Sequence, residues 1–175
     1  MIHVVLYGSA LDTAIRQAMV DDLAKRFAIR YQDRRSIRDF GKNPELLLVD
    51  TENLASLDAE PAILIMKTDA VPLSLTHCPR PVPTIANSEN AEQLAALAKL
   101  SIPVITCGMR PKDSVTFSSC GDERVVASLG RTIRTVSGDE LEPLEIPFHD
   151  CFGMEGYPLL AYAALRMLLG DVPHV

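Results

Sequence analysis

The apolar positions of this chain fall into two kinds of run, and the difference between them predicts most of its elements. Residues 2–7, 46–49, 62–66, 84–86 and 103–107 are short and almost continuously apolar. A strand covered on both faces has no wet side for polar residues, so such runs predict the inner strands of a parallel sheet. Other stretches repeat at helical spacing. Ile15, Met19, Leu23 and Phe27 predict a helix that Ser9 or Asp12 caps, and Leu94 and Leu97 predict another over about 90–100, capped from Asn87, Ser88 or Asn90. A short strand is expected at 28–31, and the polar stretch 32–45 reads as a loop or weak helix. Between 71 and 83, Pro72, Pro79, Pro81 and Pro83 forbid a helix and predict a stiff, irregular loop.

After residue 108 the pattern changes. Segments 114–119, 124–129, 131–136 and 141–148 are separated by Cys120-Gly121-Asp122, by Gly130 and by Ser137-Gly138-Asp139. Glycine turns at this spacing predict antiparallel hairpins, and Val115 and Phe117 alternate with polar neighbours, so one face is expected to be wet. A closing helix is expected over 157–169, with Pro158 in its first turn and Gly170 as its C-cap. The expected fold is α/β: a three-layer sandwich with a mostly parallel sheet over 2–108, a small antiparallel sheet built from the hairpins of 114–148, and the closing helix. All of it forms a single domain spanning residues 1–175.

Composition narrows the functional classes. Apolar residues make up 47% of the 175, enough for a real core, and no apolar run is long enough to span a membrane. The N-terminus lacks a basic region followed by a long apolar segment, so no signal peptide is expected and the expected compartment is the cytoplasm. A net charge of −6 with no Trp argues against nucleic acid as a partner. The basic cluster Arg26, Arg30, Arg34, Arg35 and Arg38 reads either as a local anion patch or as a solvated polar face. Cys78, Cys107, Cys120 and Cys151 are spaced 29, 13 and 31 apart with no Cys-x-x-Cys pair, which fits free thiols better than a zinc site.

Candidate chemistry gathers at strand ends. The first strand runs into Tyr7-Gly8-Ser9 and then a helix, the arrangement in which P-loop proteins hold phosphates. That pattern needs Gly, Lys and Ser/Thr at the fifth, sixth and seventh residues after Gly8, where this chain has Thr13, Ala14 and Ile15. Gly8-Ser9 therefore reads either as an anion site made of backbone N–H groups or as a tight turn capped by its own serine. Asp50 closes a presumed parallel strand, where open α/β sheets bind ligands; it reads as a metal or ribose contact, or as a turn cap. Lys67, Thr68 and Asp69 end another strand, as an anion or metal site or as a solvent-exposed Lys–Asp pair. His77-Cys78 and His149-Asp150-Cys151 would make a metal or thiol site only if the fold brought them together.

The order of these elements resembles the central, ATP-binding domain of the Mur ligases and their folylpolyglutamate and cyanophycin synthetase relatives. Leu46-Leu47-Leu48-Val49-Asp50 is similar to the family strand ending in a metal-supporting acidic residue. Ala62-Ile63-Leu64-Ile65-Met66-Lys67-Thr68-Asp69 is similar to the strand that ends in Thr-Asn, Thr84-Ile85-Ala86-Asn87 to the Asn-x-Asp-Asp segment, and Val104-Ile105-Thr106-Cys107-Gly108 to the Thr-Tyr/Phe-Gly segment. The Ala-rich helix with Ala161, Ala163 and Ala164 completes the match. The departures matter as much. Gly8-Ser9-Ala10-Leu11-Asp12-Thr13-Ala14 replaces the phosphate loop, the Asp-His after the Thr-Asn strand is missing, and the proline loop replaces the segment bearing a metal-binding lysine. Gly153-Met154-Glu155-Gly156-Tyr157 stands where the family has His-Asn, and the chain has no room for the family's other two domains.

With those departures the resemblance implies a non-catalytic relative: a binding or regulatory module whose partner is an unidentified protein or a second copy of itself. It is expected to have no catalytic residue, no metal ligand and no working ATP or Mg²⁺ cofactor, because acyl-phosphate chemistry needs the γ-phosphate held and neutralised. Its vestigial ligand edge would comprise Gly8, Ser9, Asp50, Lys67, Thr68, Asp69 and Asn87. The alternatives are a weak nucleotide binder using the Gly8-Ser9 turn and a small metal- or thiol-dependent hydrolase.

Overall fold

The computed structural model describes residues 1–70, 74–79, 81–121 and 124–172. Its strands are β1 (Ile2–Tyr7), β2 (Ile29–Gln32), β3 (Ile37–Phe40), β4 (Leu46–Thr51), β5 (Ala62–Met66), β6 (Thr84–Asn87), β7 (Val104–Cys107), β8 (Val115–Cys120), β9 (Val125–Leu129), β10 (Ile133–Arg134), β11 (Glu140–Leu141) and β12 (Glu145–Phe148). Its helices are α1 (Ala14–Asp21), α2 (Ala91–Lys99) and α3 (Tyr157–Leu169). Ten strands form one sheet in the order β12-β9-β8-β7-β6-β5-β1-β4-β2-β3, and β10 pairs with β11 in a separate two-stranded sheet. From β2 through to β8 every neighbouring pair is parallel. The continuous apolar runs are therefore the inner strands, as their lack of a polar face requires.

One apolar cluster covers each face of the sheet, which makes three layers. Val4 and Leu6 of β1 pack with Ile15 and Met19 of α1 and with most of α3. Val5 and Tyr7 of the same strand face Leu97 of α2, together with Leu75 and Val82 from the proline-rich connection. Helix α3 follows the expected bounds, with Pro158 in its first turn and Gly170 as a left-handed C-cap. Asn90 caps α2 by accepting from the Gln93 N–H at 3.0 Å. Of the expected proline loop, residues 71–73 and 80 lie outside the described residues, as does Asp122 of the expected Cys120-Gly121-Asp122 turn.

Four expectations change. Residues 32–45 contain β3, which pairs antiparallel with β2. Its sequence Ile37-Arg38-Asp39-Phe40 lacks the apolar signature because it is an exposed edge strand, and edges tolerate charge. Neither Ser9 nor Asp12 caps α1; Thr13 is its N-cap and makes no side-chain cap bond. The hairpin strands β8, β9 and β12 extend the main sheet, β8 parallel to β7 and β9 and β12 antiparallel to their neighbours, and only β10–β11 stands apart. Within 131–136 and 141–148 only Ile133–Arg134 and Glu145–Phe148 are strand, with Leu141 paired in β11.

A partly buried polar network ties α1 to α3. Asp22 accepts from Arg26 Nη1 and Nη2 at 3.0 and 2.8 Å and from the Tyr162 hydroxyl at 2.6 Å, while Arg26 and Arg166 both reach Asp171. Burial pushes the Asp22 carboxyl up, but the bonds from Arg26 and Tyr162 outweigh it and hold the group below its usual range. A depressed carboxyl contributes its stability above the unfolded value and loses it as pH falls through the folded one. The urea midpoint should therefore fall on acidification from about pH 5 to pH 3, and Asp22→Asn should flatten that dependence.

Candidate functional site

Parallel register brings the predicted residues to one level at the carboxyl edge. Leu6 of β1 is flanked by Asp50 on β4 and by Ile65 on β5, so Asp50 and Lys67 stand on either side of the end of β1. Between them the chain turns at Gly8, which has φ +141°. Lys67 reaches through this gap, and its Nζ donates to Asp50 Oδ1 at 2.6 Å and to the Ser9 carbonyl at 2.8 Å. Lys67 is 1% exposed and Asp50 7%. The expected Lys67–Asp69 pair does not form, because Asp69 points to solvent while Lys67 turns inward to Asp50. Asp50 Oδ2 is buried with no hydrogen-bond partner among the described residues.

The turn after β1 is closed by its own bonds. The amide of Gly8 donates to Thr51 O at 2.9 Å, and that of Ala10 to Glu52 Oε1 at 2.9 Å. The amide of Leu11 donates to Ser9 Oγ at 3.2 Å, and that of Asp12 to Ser9 O at 3.1 Å. An anion held by backbone needs N–H groups aimed at it, and these four are already engaged. The Lys67 ammonium that reaches this turn is likewise engaged, by Asp50 and the Ser9 carbonyl. The residues therefore do not fit Mg²⁺-ATP at this turn.

Thr68 and Asn87 belong to the supports of the same edge. The Thr68 N–H donates to Asp12 Oδ2 at 3.1 Å, which is what Asp12 does in place of capping α1. Asn87 closes β6 with its side chain accepting from the Glu89 N–H, and its own N–H donates to Gln93 Oε1 at 2.8 Å. Gln93, fully buried on α2, also donates through Nε2 to the carbonyls of Lys67 and Ala70. The Tyr157 hydroxyl donates to Met66 O, and burial drives that phenol well above its usual pKa. Asp12, Gln93 and Tyr157 were not among the predicted site residues. A glutamine in the first turn of an otherwise apolar helix face was the one available signal, since a buried amide must find partners.

The arginine cluster divides. Arg26 joins the Asp22 network, and Arg30 pairs with Asp39 at 2.7 Å across the β2–β3 hairpin. Arg34 and Arg35, with Arg16 of α1, line an open cleft of about 800 Å³ at the carboxyl ends of β1, β2 and β4. The His–Cys groups stay apart. Cys78 packs with the apolar cluster on the α2 face and Cys151 with the cluster on the α1–α3 face. Among the described residues no three His, Cys, Asp or Glu side chains are placed to share a metal. Burial raises the Cys107 thiol pKa far above its usual value, and its Sγ donates to Leu160 O at 3.7 Å. That thiol is a packing group, poorly suited to act as a nucleophile.

No protein-family model and no curated protein sequence matches the chain. Solved structures do. A UDP-N-acetylmuramoyl-L-alanyl-D-glutamate–2,6-diaminopimelate ligase aligns with 97% of this chain at 7% identity and a TM-score of 0.52. A murein peptide ligase from Psychrobacter arcticus 273-4 aligns with 97% of it at 8% identity and a TM-score of 0.51. In both cases the chain spans 43% of the ligase's length. At such identity the likeness is one of fold. Among the described residues, no helix is long and apolar enough to cross a membrane.

Proposed function

We propose that this domain is a non-catalytic, Mur-ligase-like binding or regulatory module of the cytoplasm, whose partner is another protein or a second copy of the chain. The observation that carries this reading is Lys67: its ammonium fills the turn after β1 and is held there by Asp50 and the Ser9 carbonyl. Thr13, Ala14 and Ile15 supply neither the lysine nor the hydroxyl that a triphosphate and its metal require. The engaged amides of Gly8, Ala10, Leu11 and Asp12 argue equally against weak nucleotide binding through backbone alone. The opposite-face placement of Cys78 and Cys151 removes the support for a shared metal or thiol centre.

The test is Mg²⁺ dependence. Millimolar ATP with Mg²⁺ should change the melting temperature by no more than about 1 °C relative to ATP with EDTA, and should release no phosphate. A larger Mg²⁺-dependent rise, or turnover, overturns the reading, because a ligand that binds the native state must stabilise it.

A further inference from the structure

We infer that the cleft beside this turn is a binding site for a small, multiply charged oxyanion, gripped by Arg16, Arg34 and Arg35. The inference deepens the reading of the domain as a binding module and rests on it. The cleft opens at the carboxyl ends of three parallel strands, where open α/β sheets take their ligands, and its volume of about 800 Å³ suits a metabolite.

The charges on its wall are unequally satisfied. Three carboxylates line it, and each is already held: Asp50 by Lys67, Glu52 by the Ala10 amide, and Asp33 by four donors. Among the described residues, none of Arg16, Arg34 and Arg35 forms an ion pair. Guanidinium forks match the oxygens of phosphate and carboxylate, so three unpaired forks around one opening ask for a multiply charged oxyanion.

A single residue organises the three. Asp33 Oδ1 accepts from the amides of Arg35 and Ser36 at 2.7 Å each, which fixes the turn that carries Arg34 and Arg35. Its Oδ2 accepts from the Tyr31 hydroxyl at 2.7 Å. Arg16 lies over the Tyr31 ring, 5.9 Å from its centre, and donates to the same hydroxyl at 3.3 Å. The turn that carries Arg34 and Arg35, and the Arg16 side chain, are thus held before any ligand arrives, which lowers the ordering cost of binding.

The experiment titrates the full chain with glycerol 3-phosphate and with citrate at matched ionic strength, by calorimetry. They separate a phosphate ligand from a carboxylate one. At least one should bind, and Arg34→Ala/Arg35→Ala, at two exposed positions, should weaken it on the order of tenfold. Asp33→Ala distinguishes an organised site from general attraction. It makes the cleft more positive, so attraction alone predicts tighter binding, whereas loss of the organiser predicts weaker binding. Failure of both probes to bind below about 10 mM overturns the inference. So does binding indifferent to the arginine variant, or tightened in Asp33→Ala. The underlying reading fails separately: Mg²⁺-dependent ATP turnover would remove it, whatever the arginine variants do to glycerol 3-phosphate or citrate.

Discussion

Replacing Lys67 with methionine is expected to destabilise the domain by about 3–5 kcal/mol, read as a drop in the urea midpoint at unchanged slope. The ammonium is the partner of Asp50 Oδ1 and a donor to the Ser9 carbonyl, and Asp50 Oδ2 already has none. Without Lys67 a carboxylate that is 7% exposed would be left with neither oxygen partnered among the described residues. Breaking one side of a buried pair costs more than the pair contributes, because the cost lies in the charge left behind. The double variant Lys67→Met/Asp50→Leu removes both charges and should recover most of the loss, with a coupling energy of about 2 kcal/mol or more. A loss below about 1 kcal/mol in the single variant would mean that water reaches Asp50, contrary to the sealed geometry.

The two ends of this edge differ in how complete they are without a ligand. Around Gly8 the chain meets its own demands: the amides have acceptors, and the lysine has a carboxylate and a carbonyl. Across β4, three guanidiniums have no carboxylate partner among the described residues. Satisfied groups make architecture and unsatisfied ones make recognition. That contrast moves the binding surface away from the turn the motif singles out and toward the β2–β3 hairpin.

How much of this was legible in the sequence follows from the range of each interaction. Runs such as Val104-Ile105-Thr106-Cys107 announced themselves as inner strands because burial on both faces acts residue by residue. The bounds of α3 were readable because Pro158 and Gly170 act locally. Asp50 and Lys67 were both placed at strand ends, but not with each other. Their pairing depends on β4 and β5 being the two neighbours of β1, a choice of sheet order that no local pattern encodes. Strand β3 was missed because an exposed edge carries charge where an inner strand carries apolar residues. The role of Asp33 was hidden for a third reason: its donors come from Tyr31 and from the turn that the missed hairpin creates.

Gly8→Ala should cost about 2–4 kcal/mol, combining backbone strain with overpacking. At φ +141° an L side chain is strained in any surroundings. Here the new Cβ would also stand 2.8 Å from the Lys67 Cβ and 3.0 Å from the Ala70 Cβ. Both are fixed to backbone and cannot swing aside, so the strand ends must part and the Lys67–Asp50 bond must lengthen. A phosphate loop keeps glycine where backbone must approach a ligand closely; at Gly8 the close approach is to Lys67 of the same chain. Gly138→Ala is the comparison. Gly138 has φ +93° with nothing within 4 Å of the added carbon, so it should show the backbone penalty alone, about 1–2 kcal/mol. If urea unfolding gives Gly8→Ala no greater loss than Gly138→Ala, the lysine does not press against the turn. The case for Lys67 as the residue that closes it would then fall.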